Sequence, residues 1–272
     1  RDLHAALARW RVAMGDGEAR RPPADLGEAL RAPGTDRWEP VLRHEPALAD
    51  SFEVLDSLAR RLDGLPFEPG EKLQQALVER ALGLWTLLRA RYPRAGCQWG
   101  WTGNRPALRL LQRFVVADRS PRADASFEWL RALVEVLDAD DHLGLRDHLG
   151  AVLLRRGDAA GALALAERFP DDFVGMRLLH ARALLELRRE TDAQEVFASA
   201  LKANPHLLVL LRSRRAPRLP AVDAYRVGSR EQARVVVAEQ HDLWRGKPLQ
   251  AWLKSQDPGP GDAPGPVQLT LT

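Results

Sequence analysis

Apolar residues recur at steps of three and four along the long segments of this chain, which is the spacing of an amphipathic helix. The clearest pattern covers residues 70–92, where Leu77, Leu84 and Leu88 belong to one apolar stripe that ends before Pro93. The pattern also predicts shorter helices at about 2–14, 25–32 and 46–63. No segment before the C-terminal tail alternates apolar and polar residues as a half-buried strand does, so the sequence predicts an all-α protein.

The helices predicted after residue 104 are short and paired, and two of the pairs overlay. Gly150 aligns with Ala181, and Ala162 aligns with Ala193, in both cases 31 residues further along the chain. Small residues at such positions let two helices approach closely, and repeated pairs stack into an α-α superhelix. A more degenerate pair precedes them, with Leu108, Leu111, Phe114 and Val115 on its first helix and Ala125, Trp129 and Ala132 on its second.

This pattern resembles the tetratricopeptide repeat over residues 104–212. The flanking residues are similar to those of a bacterial group that joins such repeats to a Trp-Gly-Trp and Asn-Arg-Pro stretch and closes on a Gly-Ser-acidic helix. The matching residues are Trp99, Gly100, Trp101, Asn104, Arg105, Pro106, Gly228, Ser229, Glu231, Trp244, Trp252 and Leu253. The resemblance implies a helical interaction module and supplies no catalytic residues.

The repeats, the helices on either side of them and the Pro/Gly content of the tail divide the chain into four predicted parts. These are an N-terminal helical region (1–98), tetratricopeptide-like repeats (99–212), C-terminal capping helices (213–254) and a Pro/Gly-rich flexible tail (255–272). Ser229 and Gln232 have the spacing of a capping box at the start of a helix predicted to run to Trp244, and a short helix is predicted near 248–254. Residues 267–272 alternate like a strand, so we expect them to be disordered or to pair with a second chain.

Overall composition indicates a globular protein of the cytoplasm. Hydrophobic residues make up 45% and charged residues 28%, and no run of eighteen apolar residues occurs, which excludes a disordered chain and predicts no membrane association. The N-terminus has neither a signal-peptide pattern nor an initiator Met, so we expect the chain to begin inside a longer gene product. A single cysteine, Cys97, favours a reducing compartment, and we expect this thiol to be inert.

Motifs for catalysis or metal binding are not recognisable in the sequence. Only His142 and His148 lie close together among seven histidines, and their spacing of six differs from the three or four that a helical metal pair needs. We therefore predict no enzyme, no cofactor and no metal, with a catalytic site in the N-terminal helices as the remaining alternative. The acidic residues Asp138, Asp140 and Asp141 are expected to cap a helix start.

A series of arginines gives the main functional prediction. Arg105, Arg109 and Arg113 recur at steps of four, opposite the apolar face of their helix. In the fold that the chain resembles, the first helices of the repeats line a concave surface, where arginine beside exposed leucine would suit an acidic, partly apolar peptide. The predicted partner-binding residues are Arg105, Arg109, Arg113, Arg155, Leu178, Arg182 and Leu185. The alternative is a solvated, arginine-rich face.

The leading prediction is therefore a non-enzymatic scaffold that binds a protein or an acidic peptide. The second prediction is a nucleic-acid-binding accessory protein, since a basic stripe can contact phosphates without any motif. The residues for that function are Arg212, Arg214, Arg215 and Arg218. A separate question concerns Trp99 and Trp101, which either plug the junction before the first repeat or line a ligand groove, and we favour the plug.

Overall fold

A computed structural model describes residues 3–14, 35–63, 68–117, 124–170, 173–220 and 224–256. Within these ranges the chain forms helices and connecting turns and no β-strand, which confirms the predicted all-α class. None of the helices in the described ranges combines the length and apolarity that a bilayer crossing requires. The chain divides into two compact units, Arg1–Leu143 (unit 1) and Gly144–Thr272 (unit 2). This division falls inside the predicted repeat region, so a continuous superhelix over 99–212 stays a prediction.

Unit 1 contains six described α-helices. They are α1 (Leu3–Met14), α2 (Thr35–His44), α3 (Phe52–Arg61), α4 (Glu68–Arg91), α5 (Arg105–Ala117) and α6 (Asp124–Ala132), with short 3₁₀ turns at Pro46–Asp50 and Thr102–Asn104 and a π-helical turn at Leu133–Leu137. The predicted helix 46–63 is thus divided at Ser51, whose backbone is extended. Helix α2, which contains Pro40, was not predicted, and the predicted helix 25–32 lies outside the described residues.

The core that positions the first predicted arginines lies between α3, α4 and α5. Leu55 and Ala59 of α3 pack with Val78 and Ala81 of α4 and with Leu110 of α5. Apolar side chains at helical spacing on all three elements bury one face of each helix, and this burial is the main stabilising contribution. The arginines of α5 therefore lie at the rim of this core rather than inside it.

Unit 2 contains seven described α-helices. They are α7 (Arg146–Arg155), α8 (Ala159–Arg168), α9 (Val174–Glu186), α10 (Glu190–Ala203), α11 (Leu207–Leu211), α12 (Arg230–Gln240) and α13 (Lys247–Ser255), with a 3₁₀ turn at His241–Trp244. The predicted helix from Ser229 to Trp244 is therefore an α-helix followed by a 3₁₀ turn. The predicted capping box is present, because the Ser229 hydroxyl oxygen accepts a hydrogen bond from the Gln232 backbone N–H at 3.1 Å.

Two helical hairpins, α7–α8 and α9–α10, have the same turn 31 residues apart. Gly157 has φ +81° in the first turn, and Arg188 has φ +62° at the equivalent place in the second. In both turns the residue that follows donates its N–H to the carbonyl five residues earlier, at 2.9 Å. The sequence spacing that aligns the two segments therefore corresponds to a repeated local backbone structure.

Small residues lie where helices of unit 2 come closest. Ala162, Ala181 and Ala193 are completely buried. A Cβ placed on Gly150 would lie only 3.0 Å from Cδ1 of Leu179. The aligned positions predicted from the sequence are thus sites where a larger side chain would overpack the interior.

An aromatic cluster packs the C-terminal helices of unit 2 against α10. The Phe197 ring lies 5.5 Å from the ring of Trp244 and 5.0 Å from that of Trp252, measured between centroids. Aromatic pairs in tilted and edge-on arrangements stabilise a core beyond the area that they bury. The Pro-rich tail, including the strand-like residues 267–272, lies outside the described residues.

Candidate functional site

Arg109 binds a buried carboxylate of its own unit. Its guanidinium donates to both oxygens of Asp56, with Nη2 at 2.5 Å and Nε at 3.1 Å from Oδ2. The Asp56 side chain is 1% exposed and also contacts Arg60 one helical turn further along α3. Arg109, predicted to bind a partner with a solvated face as the alternative, therefore pairs with a carboxylate of α3 in its own unit.

The other two arginines of that series also have partners within unit 1. Arg113 forms two hydrogen bonds to the Asp63 carboxylate at 2.5 and 2.6 Å. Arg105 donates Nε–H to the carbonyl of Trp99 at 3.0 Å, and its guanidinium lies over the Trp99 ring. The three arginines do share one face of α5, but each is engaged in holding unit 1 together.

In unit 2, Arg155 and Arg182 bind the chain's own residues 239–243. Arg155 donates two hydrogen bonds of 2.8 Å to the Asp242 carboxylate and one of 2.6 Å to the carbonyl of Glu239. Arg182 donates Nε–H to the carbonyl of Leu243 at 2.6 Å. The face predicted to take an acidic, partly apolar peptide thus holds an acidic, partly apolar segment of the same chain.

The two leucines predicted on this face are not exposed as expected. Leu178 is completely buried and Leu185 is half-buried.

Burial acts to raise the pKa of the Asp242 carboxyl, but the hydrogen bond and charge of Arg155 outweigh it and hold this pKa below its usual range. Burial raises the pKa of Glu239, although Arg155 opposes this shift. Electrostatics therefore favour the ionised form of Asp242 against Arg155.

The four arginines predicted to bind nucleic acid divide between two environments. Arg212 donates to the carbonyl of Leu253 at 2.7 Å and so satisfies a carbonyl at the end of α13. Arg214, Arg215 and Arg218 are exposed, and within the described part of the chain their side chains have no hydrogen-bond or ion-pair partner. These three, unlike Arg212, are available to a ligand.

Packing of residues 211–214 against 241–254 extends this region into a larger surface. The Arg245 side chain donates to the backbone carbonyl of Arg214, and the Gln250 amide donates to that of Leu211 at 3.2 Å. We call the exposed cations of residues 211–220 and 243–256 the basic surface. It consists of Arg214, Arg215, Arg218, Arg245, Lys247 and Lys254.

The two stretches of sequence that carry the basic surface contain no acid. Neither residues 204–220 nor residues 243–256 include an Asp or Glu. Asp242 and Asp257 border the second stretch, and Asp242 forms an ion pair with Arg155. Sequence reasoning missed Arg245, Lys247 and Lys254, although the acid-free run 243–256 was a readable signal for them.

The tryptophan pair of unit 1 divides between two environments. Trp99 is half-buried under Arg105, whereas Trp101 is 72% exposed. The predicted plug is therefore wrong for Trp101. A shallow pocket lies beside its ring and is lined by residues 98 and 100–104.

The remaining candidate groups do not form a reactive site. Asp138 is buried at the end of the π-helical turn, where it accepts hydrogen bonds from His142 Nδ1 and the Leu143 N–H, so it does not cap a helix start as expected. Burial and the negative charge of Asp138 raise the pKa of Cys97 to about 11, which leaves the thiol protonated at neutral pH. Within the described ranges no three His, Cys, Asp or Glu side chains are grouped so as to hold a metal ion.

Comparisons of the chain with protein-family models, with curated proteins and with solved structures found no match. The geometry and charge of the chain itself are therefore what indicates its binding partner.

Proposed function

We propose that this chain is a non-enzymatic interaction module that binds an acidic segment of a partner protein on the basic surface of unit 2. The observation that carries the proposal is the presence of six exposed cations within residues 204–220 and 243–256, which contain no Asp or Glu. Guanidinium groups bind carboxylates through two parallel hydrogen bonds, so an acidic segment would gain contacts here without competition from neighbouring acids.

An apolar residue beside these cations favours a protein partner over a phosphate backbone. Leu219, next to Arg218, is 65% exposed. A partner segment that combines carboxylates with apolar side chains would use both features. The two hairpins with equivalent turns support a tetratricopeptide-like scaffold that holds this surface in place.

Nucleic acid is the second candidate, favoured by the unpaired guanidinium groups of Arg214, Arg215 and Arg218 in the described part of unit 2. Salt dependence separates the two partners, because each phosphate contact releases condensed counterions. About four such contacts would weaken nucleic-acid binding roughly a hundredfold between about 50 and 200 mM salt. A protein segment that also buries apolar surface would lose much less affinity.

A capture experiment tests the proposal. The wild-type chain serves as bait in a nuclease-treated lysate of its own cells, beside a variant with Arg214, Arg215 and Arg218 replaced by Glu. We expect a protein to be captured by wild type and lost with this variant, because charge reversal turns attraction into repulsion.

The matched control carries Glu at three other exposed cations of unit 2, Arg156, Arg188 and Lys202, and so has the same net charge. Capture by the control at the wild-type level supports the proposal. Equal capture by all three baits would contradict it. Capture from an untreated lysate that is lost from the nuclease-treated one would point to nucleic acid instead.

A further inference from the structure

Unit 1 presents the indole ring of Trp101 on an ordered loop. The Gln98 carbonyl accepts hydrogen bonds from the Trp101 backbone N–H at 3.2 Å and from the Asn104 side-chain amide at 3.0 Å. The Asn104 N–H in turn donates to the Trp101 carbonyl at 2.9 Å. An exposed aromatic ring on such a loop can bind a ligand with little loss of conformational entropy.

The surroundings of this ring are open. The Trp101 side chain is 72% exposed, so neighbouring side chains leave most of the ring uncovered. The pocket lining adds the amides of Gln98 and Asn104 and the hydroxyl of Thr102. An aromatic face beside amide groups suits a flat heterocycle that stacks and offers hydrogen-bonding groups at its edge.

The guanidinium of Arg105 provides a positive charge at this loop. It lies 5.3 Å above the Trp99 ring, and Arg105 begins α5 directly after Asn104. A phosphate beside the stacked heterocycle would complement this charge.

We propose that the Trp101 loop is a binding site for single-stranded nucleic acid, in which one base stacks on the Trp101 ring. The Gln98 and Asn104 amides would bind the edge of the base, and Arg105 would neutralise a phosphate. A duplex encloses its base faces, so it lacks the group that this site recognises. The site lies in unit 1 and is independent of the partner that the basic surface of unit 2 takes.

The test compares three probes bound to the full chain by fluorescence anisotropy at one fixed salt concentration. They are a thymidine oligonucleotide of about fifteen residues, an abasic oligomer with the same number of phosphates, and a duplex. We expect wild type to bind the thymidine oligomer about five- to a hundredfold more tightly than the abasic one, as one stacked base contributes about that factor. Trp101→Ala should abolish this difference, and Trp101→Phe should restore most of it.

Phe173→Ala is the control, since it removes another aromatic side chain that is 62% exposed. It should leave the preference for the base-containing oligomer unchanged. No binding of the oligonucleotide by wild type, equal binding of the abasic oligomer, or a Trp101→Ala variant that keeps the preference would each overturn the proposal.

Charge reversal at Arg214, Arg215 and Arg218 distinguishes the two proposals. If both are correct, that variant loses partner capture but still binds the thymidine oligomer more tightly than the abasic one. The proposal for Trp101 can therefore fail while the proposal for unit 2 stands, and the reverse also holds.

Discussion

The pairing of Arg109 with Asp56 shows how one buried carboxylate determines the role of an arginine. Asp56 is almost fully excluded from solvent, and a buried carboxylate needs cationic or hydrogen-bonding partners to offset its lost hydration. Arg109 and Arg60 supply that contact. The regular spacing of arginines on α5 therefore contributes to the stability of unit 1.

The two pairs on α5 predict different costs of substitution. Arg109→Met should lower the free energy of unfolding by about 2 to 3 kcal/mol, less than for a fully buried pair because Arg60 still contacts Asp56. Arg113→Met should cost under about 1 kcal/mol, since its partner Asp63 is 47% exposed. Denaturant unfolding measures both values, and equal costs would contradict this interpretation.

Cys97 gives a prediction about reactivity and pH. Because its pKa is raised to about 11, the thiolate fraction at pH 8 should be about a hundredfold below that of an ordinary cysteine. A more basic thiolate is also a stronger nucleophile, which raises the reaction rate about tenfold and so offsets part of this loss. Reaction with an aromatic disulfide reagent should thus be about tenfold slower in the folded chain than in denaturant. Its rate should rise about tenfold per pH unit up to about pH 10, whereas a plateau near pH 9 would rule out the raised pKa.

The hairpin turns of unit 2 link the sequence repeat to backbone geometry. A left-handed conformation is accessible to glycine without strain, whereas a residue with a Cβ pays about 1 to 2 kcal/mol there. Gly157 occupies this conformation in the α7–α8 turn, but Arg188 occupies it in the α9–α10 turn. The second hairpin thus carries local strain that the first avoids.

Exchanging the two turn residues should reverse their contributions. Gly157→Ala should destabilise the protein by about 1 kcal/mol, and Arg188→Gly should stabilise it by about 0.5 kcal/mol after the added entropy of the unfolded chain is subtracted. Thermal unfolding of the two single variants measures these shifts. A neutral Gly157→Ala together with a destabilising Arg188→Gly would show that the turns are not equivalent.

Local signals predicted most helices correctly, and the errors have specific causes. The stripe on α4 and the capping box at Ser229 depend on neighbours in sequence, so both could be predicted. Helix α11 (Leu207–Leu211) was missed because five consecutive apolar residues have no helical period. The partner of Arg109 could not be predicted, since Asp56 is 53 residues away and meets it only through packing of α3 against α5.

For the whole molecule, the distribution of acids is more informative than the net charge. The formal charge of +3 indicates a nearly balanced protein. The acids are nevertheless missing from residues 80–117, 204–220 and 243–256, which carry the cations of both proposed sites. Acids elsewhere, such as Asp56 and Asp242, bind arginines of their own unit.

Hydrogen–deuterium exchange of the chain with and without its captured partner tests the binding surface most directly. We expect added protection in peptides covering residues 212–220 and 243–256, since the partner would cover the basic surface there. Residues 146–186 should exchange at the same rate in both states, because Arg155 and Arg182 keep their bonds to residues 239–243. Protection of α7 and α9 with faster exchange at 239–244 would contradict the proposal, because the partner would then have displaced the chain's own segment.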